Sequence, residues 1–219
     1  MKLVIISDTH TLQLGMKHQI PDGDVLIHCG DVSNRGSFYD IEDFLEWFSQ
    51  FPHKHKIFIA GNHDFGLEYR NTPVQKLLED YSDRVTYLQE DEIVIDGVKF
   101  WGSPWTPEFY NWAFMYKRGE EAAEIWKKIP DDTNVLITHG PPMTNSFLDY
   151  TVYDSINVGC EELAKRITEL PNLKVHCFGH IHEGYGMAEH PNGFAMINAS
   201  VCTLRYNPTN MPVEIEIEL

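Results

Sequence analysis

The sequence predicts a mixed-sheet α/β sandwich with helices on the outside. Three observations predict it. Short, continuous apolar runs recur along the chain and end in glycine or polar residues, as strands buried on both faces do. Segments with helical apolar spacing lie between them. Two Asx-Gly dipeptides flanked by apolar stretches add antiparallel hairpins to a pattern that otherwise alternates strand and helix.

The elements follow in order. KLVIIS (2–7) and DVLIHCG (24–30) read as buried strands. SFYDIEDFLEWFSQF, from Ser37, has Ser37 and Asp40 in capping-box spacing and a helical apolar stripe. KIFIAG (56–61) is the third strand, and VQKLLEDY is helical. EIVI and VKFWG flank Asp96-Gly97, a hairpin turn. EEAAEIWKKI (120–129) is a helix and NVLITHG (134–140) a strand. CEELAKRITEL (160–170) is a helix stopped by Pro171 and Asn172, and LKVHCFG (173–179) is a strand. YGMAEH and FAMINAS flank a second turn at Asn192-Gly193. The tail VEIEIEL alternates strictly, which fits a strand with one wet face. Without an internal repeat, low-complexity tract or linker, residues 1–219 read as one domain.

Bulk composition narrows the function. The chain has 219 residues, 42% hydrophobic and 23% charged, an ordinary globular balance with length enough for a core. Its net charge of −16 argues against duplex nucleic acid as a partner. Small phosphate substrates stay open, because bound divalent cations supply local positive charge. The apolar run in MKLVIISDTH is too short for a signal-peptide core, and no stretch reaches the roughly 18 apolar residues of a membrane span. Cys29, Cys160, Cys177 and Cys202 show no CxxC spacing and read as buried free thiols, so the expected compartment is the reducing cytoplasm, with no membrane partner.

The chemistry lies at the strand ends. Asp8-Thr9-His10 follows the first strand, Gly30-Asp31 the second, and Gly61-Asn62-His63-Asp64 the third. His139-Gly140 follows the fourth and Gly179-His180-Ile181-His182 the fifth. Carboxyl ends of strands form the ligand crevice of α/β sheets, so these clusters can converge. If the extended geometry persists, His180 and His182 point the same way. Imidazoles with hard oxygen donors and no thiolate suit Mn²⁺, Zn²⁺, Fe or Ni²⁺. Asp8, His10, Asp31, Asn62, His139, His180 and His182 are too many for one tetrahedral ion. With Asp31 bridging they fill a two-metal site and leave room for water and substrate.

DxH, GD, GNHD, THG and GHxH in that order resemble the calcineurin-like metallophosphoesterases. SPWTPEFYNWAF, THGPP, GHIHEGYG and NASVCTLRYNPTN resemble the branch containing the vertebrate brain metallophosphoesterase-domain proteins, which are cyclic nucleotide phosphodiesterases. The likeness covers nearly the whole chain. It implies a four-layered αββα sandwich of two mixed sheets flanked by helices, with two divalent ions between the strand ends, Mn²⁺ first and Fe, Zn²⁺ or Ni²⁺ as alternatives. One ion would take Asp8, His10, Asp31 and His182. The other would take Asp31, Asn62, His139 and His180. The implied reaction is attack on a small phosphodiester, such as a 2′,3′- or 3′,5′-cyclic nucleotide, by a metal-bridged hydroxide. The alternatives are a phosphomonoesterase, a nuclease on short single strands, and a non-catalytic metal-binding scaffold.

His63 reads either as a metal ligand or as the acid that protonates the leaving oxygen, and the resemblance favours the acid. Asp64 is expected to orient its ring. Arg35 in GDVSNRG reads as a substrate-phosphate contact or a surface ion pair. Arg35, Asn62 and His63 are the expected substrate-binding residues. His28 and His176, inside strands, read as satisfied core histidines, and His18, His53, His55 and His190 as surface residues. WGSPWTPEFYNWAFMY (101–116) reads as core filling for some of its aromatics and as a wall for a nucleobase for others.

Overall fold

Side-chain alternation along the buried strands decides the layering. In β1 (Lys2–Ile6), Leu3 and Ile5 enter one core cluster while Val4 and Ile6 enter another. The computed structural model describes residues 1–69 and 73–218. β1, β2 (Val25–His28), β3 (His55–Phe58) and β4 (Thr86–Tyr87) run parallel in the first sheet. The second sheet contains β5 (Asp91–Ile95) and β6 (Val98–Ser103), which pair antiparallel around Asp96-Gly97. Both turn residues have positive φ, 49° and 83°, as a two-residue hairpin turn requires. β7 (Thr106–Pro107) and β8 (Met115–Tyr116) form a separate small pair, as do β10 (Tyr150–Thr151) and β11 (Ile156–Asn157). β9 (Val135–Thr138), β12 (Val175–Phe178), β13 (Gly186–Glu189) and β14 (Ala195–Asn198) complete the second sheet, in the order β13-β14-β12-β9-β6-β5. β15 (Val213–Glu216) returns to the first sheet and pairs antiparallel with β1, as the alternating tail predicts. Residue 219 of that tail lies outside the described residues.

Both sheets are mixed, and they face each other. Leu3, Ile5, Val25 and Ile27 of the first meet Phe100, Val135, Ile137, Val175 and Ile197 of the second in one cluster. The outer face of the first sheet is covered by α1 (Phe38–Ser49) and α3 (Pro73–Asp80), after the single turn α2 (Phe65–Glu68). α1 buries Ile41, Phe44, Leu45 and Phe48, the i, i+3, i+4, i+7 stripe of an amphipathic helix. Ser37 caps it by accepting from Asp40 N at 3.2 Å. The outer face of the second sheet is covered by α4 (Glu120–Trp126) and α5 (Glu161–Thr168), through Trp126, Leu163 and Ile167. The layers are therefore α, β, β, α.

α4 ends three residues before the expected 129. Ile129 N bonds Trp126 O at 3.2 Å, so the last turn tightens ahead of Pro130. The predicted strands are also shorter than drawn, because residues after Ile6, His28, Phe58, Thr138 and Phe178 peel into loops. Those loops carry the polar clusters. All four cysteines are free and buried. Among the described residues, no helix is long and apolar enough to cross a membrane.

Candidate dimetal site

β1, β2 and β3 deliver Asp8, His10, Asp31, Asn62 and His63 from one sheet. β9 and β12 deliver His139, His180 and His182 from the other. Their carboxyl ends meet where the sheets touch. His180 N donates to both Asp8 carboxylate oxygens at 3.1 Å, and His139 Nδ1 reaches Cys29 O at 2.9 Å.

All seven expected ligands come together. Asp8, His10 and His182 form one cluster whose ligand atoms lie within 4.8 Å of one another, and Asp31, His139 and His180 form a second. Asn62 Oδ1 sits 2.9 Å from His139 Nε2. Asp31 Oδ2 lies 3.3 Å from His139 Nε2 and 3.7 Å from His10 Nε2, so a single oxygen faces both clusters. Asp31 Oδ1 is turned away and accepts from His63 N at 2.9 Å.

The loops reach this geometry through strained backbone. Asp8, His10, Asp31 and His180 have φ of 56°, 45°, 57° and 68°, in the left-handed region that costs non-glycine residues about 1–3 kcal/mol each. Backbone bonds hold the strain: Asp8 N to Gly30 O and His10 N to Asp31 O, both 3.0 Å. Extended geometry does not persist through GHIH. His180 turns left-handed and a 3₁₀ turn follows at His182–Gly184, so the two imidazoles part, one to each cluster.

The donor set fits a pair of cations. Carbonyls fix two tautomers: His139 Nδ1–H donates to Cys29 O, and His182 Nδ1–H to Thr203 O at 3.1 Å. The neutral His139 ring therefore aims an Nε2 lone pair at Asn62 Oδ1 and Asp31 Oδ2. Converging acceptors require a proton or a metal ion between them. Without the ion, the proton wins. Burial pulls the His139 pKa down, but the charge and hydrogen bond of Asp31, with Asp8 and the Cys29 carbonyl, push it up to about 9. The His182 pKa is likewise raised, with Asp8 overcoming the opposing effect of burial. Asp31 is buried, which alone would raise its pKa, yet the imidazolium of His139 holds it well below the usual carboxylate range. His10, enclosed and with Nδ1 unpartnered, is pushed down to about 4 by burial.

His63 is half-buried at the mouth, and one of its ring nitrogens lies within 4.8 Å of ligand atoms of His10 and Asp31. Asp64 does not orient it. His63 Nδ1 is taken by Asn34 O at 3.0 Å. The Asp64 carboxylate instead accepts from Val32 N, Ser33 N, Ser33 Oγ and Gly61 N at 2.6–3.2 Å, tying the second motif loop to the third. Burial and the charge of Asp31 raise its pKa to about 6. Arg35 is exposed and lies over the Trp112 ring at 5.7 Å, a cation–π contact beside the cleft.

A cleft of about 390 Å³ opens over the clusters, lined by Asp31, Asn62, His63, His180, His182 and Glu183 together with Phe109, Tyr110, Trp112, Tyr153, Leu204 and Tyr206. The aromatic segment divides between core and cleft. Trp101, Phe114 and Tyr116 are buried in the core, while Phe109, Tyr110 and Trp112 wall the cleft. Phe109 packs on His180 with ring centroids 5.2 Å apart, and Tyr206 on both His10 and His182 at 4.9 and 5.0 Å. Sequence reasoning missed Tyr206 and Tyr153. Tyr206, at φ 56°, lies just before Asn207-Pro208, which signals only a turn. His28 and His176 are core histidines, bonded to Thr9 Oγ1 at 3.0 Å and Thr138 Oγ1 at 2.9 Å. His53 is buried, contrary to expectation, with the Phe51 ring edge-on to its own at 6.3 Å between centroids.

Two facing mixed sheets, with clusters that could hold metal ions at their strand ends, are the arrangement expected of a metallophosphoesterase. The calcineurin-like phosphoesterase family model matches residues 1–184, and the chain belongs to that family. Metallophosphoesterase domain-containing protein 1 of Homo sapiens is 38% identical over 99% of this chain and 71% of its own length. UPF0046 protein K07C11.7 of Caenorhabditis elegans is 38% identical over 92% of this chain and 70% of its own length. Among solved structures, phosphopantetheinyl hydrolase of Mycobacterium tuberculosis shares the fold at TM-score 0.62 and 18% identity, over 93% of this chain and 90% of that one.

Proposed function

We propose that this protein is a dinuclear metal-dependent phosphodiesterase acting on small diesters, cyclic nucleotides first among them. Asp8, His10, Asp31 and His182 would hold one ion, and Asp31, Asn62, His139 and His180 the other, with Mn²⁺ the first metal to test. The observation that carries the reading is Asp31 Oδ2, one oxygen facing donors of both clusters. When bound, paired divalent ions supply an acidified water and Lewis-acid stabilisation of charge on the phosphoryl oxygens.

The chain's own residues do the rest. Asn34 O fixes a proton on His63 Nδ1, so Nε2 is the nitrogen left to protonate the departing ester oxygen. Asp64 holds the two loops that carry Asp31 and His63 in register. The cleft lining favours a diester. Its charged residues besides histidine are Asp31 and Glu183, with no lysine or arginine among the described lining residues. A singly charged diester with a flat apolar substituent meets five aromatic side chains there.

Rates on 2′,3′-cyclic AMP, 3′,5′-cyclic AMP, bis-p-nitrophenyl phosphate and p-nitrophenyl phosphate, with Mn²⁺-loaded protein, test this reading. Faster diesters with one cyclic nucleotide ahead support it. A faster monoester replaces it with a phosphatase. No turnover of any, with metal shown bound, overturns it. His63→Ala is expected to lose about 10²–10⁴-fold in kcat on the cyclic nucleotide while keeping its metals.

A further inference from the structure

We infer that Trp112 is a positioning residue for His63, its indole face locking the imidazole so that Nε2 meets the leaving-group oxygen. The inference rests on the reading that His63 donates the leaving-group proton. Indole and imidazole stack at 4.2 Å between centroids and 29° between planes. His63 is half-buried in an open cleft, where an imidazole otherwise changes rotamer on the picosecond-to-nanosecond scale. The bond from Nδ1 to Asn34 O fixes one end of the ring and the tautomer, but leaves it free to pivot about that bond. The Trp112 face on one side and the His10 ring, 4.7 Å away and edge-on, close off the pivot.

Trp112 is itself fixed relative to His63. Its neighbour Ala113 donates from N to Asn62 O at 3.0 Å, which ties the aromatic loop to the residue preceding His63. Phe114 N donates to Glu68 Oε1 at 2.8 Å, which ties the same loop to α2 just beyond the motif. Phe65 approaches the indole at 6.0 Å and the Arg35 guanidinium covers it at 5.7 Å. Ala113 and Phe114 belong to the core under α1, but Trp112 belongs to none of the three core clusters. A large aromatic held rigidly, outside the core and face to face with the proton donor, has orientation as its physical consequence.

In the step concerned, a water oxygen bonds to phosphorus and the P–O bond to the leaving group breaks. Its electron pair stays on the leaving oxygen, which takes the proton from Nε2. The neutral imidazole then regains a proton from solvent, balancing the one the water releases. Proton transfer depends on donor–acceptor distance and angle, and misplacing a catalytic group by about 1 Å can cost about 10²-fold. The loss falls hardest on leaving groups of high basicity, which need the proton most.

The test uses a series of substituted-phenyl methyl phosphodiesters, from p-nitrophenyl to phenyl, hydrolysed by Mn²⁺-loaded wild type, His63→Ala, Trp112→Ala and Trp112→Phe. The readout is the dependence of kcat on leaving-group basicity. Wild type should show a shallow slope and His63→Ala a steep one. Trp112→Ala should steepen it, its loss on the phenyl ester exceeding its loss on the p-nitrophenyl ester by about 10-fold or more, and Trp112→Phe should recover most of the difference. A second readout needs no metal. The proton NMR signal of His63 Cε1–H, assigned with His63→Ala, should lie upfield in wild type from the indole ring current. It should move downfield in Trp112→Ala and return part-way in Trp112→Phe. A steep slope for His63→Ala with a wild-type slope for Trp112→Ala overturns the positioning role alone. A wild-type slope for His63→Ala overturns the proton-donor reading and the positioning role with it.

Discussion

Gly61→Ala should cost this protein its metal site while leaving most of the fold in place. Gly61 has no left-handed φ, so alanine is acceptable to its backbone. The obstacle is space. An added Cβ would lie 2.3 Å from Asp31 Oδ1, 2.5 Å from Asp31 N and 2.6 Å from His139 Cε1. Ordinary contact begins near 3.4 Å, so the neighbours must yield by about 1 Å. Asp31 has nowhere to go, since Oδ1 is bonded to His63 N and Oδ2 faces His10 and His139. A shift of that size in the residue shared by both clusters is expected to lower kcat/KM by about 10²-fold or more, or about 2.7 kcal/mol. Overpacking should cost a further ~1–3 kcal/mol of stability. The assay compares metal content after dialysis against limiting Mn²⁺, diester hydrolysis and urea melts of the metal-free protein. Gly15→Ala is the control, its nearest neighbour being Pro208 Cγ at an ordinary 3.8 Å. Two tightly held metals and a near-wild-type rate in Gly61→Ala would refute the reasoning.

Metal binding should release a proton from His139, whose pKa of about 9 leaves it protonated at pH 7.5 in the metal-free protein. Calorimetry in buffers of different ionisation enthalpy would show the release, which should fall away as pH rises through about 9, and buffer-independent heats at pH 7.5 would contradict it. Acid should weaken the metal-free fold through His176, whose pKa burial pushes down to about 3. The unfolded chain takes up this proton below about pH 6.5 and the folded chain only near pH 3, so stability falls by about 1.4 kcal/mol per pH unit between roughly pH 6 and 4. Urea melts at pH 7, 6 and 5 measure the slope, and His176→Leu should reduce it by one proton's worth. Phe44→Ala, which empties a fully buried site between α1 and the first sheet, should cost about 3–5 kcal/mol in the same melts.

Most of the layering was legible because it depends on local periodicity. The five motif-bearing strands, the α1 stripe with its Ser37 cap and both Asx-Gly hairpins each write their pattern within a few neighbouring residues. The two-residue strands β4, β7, β8, β10 and β11 are too short to show a period of two. The seven clustered donors were legible for a related reason: each follows a strand directly, and strand ends converge by topology.

What the sequence determined by itself is therefore which residues gather and what chemistry they can offer. Tertiary structure decided what each one touches. The Asp64 carboxylate looked like a partner for its neighbour His63, but the four donors that surround it come from residues 32, 33 and 61. The true partner of His63 is a backbone carbonyl, Asn34 O, and those of His139 and His182 are Cys29 O and Thr203 O. Every residue has a carbonyl, so composition and spacing cannot mark the three that matter. The same holds for GHIH, whose two histidines serve different clusters only because His180 is held left-handed with its N–H on Asp8, a residue 172 positions away. Periodicity is written locally, whereas hydrogen-bond partners and strained dihedrals are set by contacts between segments far apart in the chain.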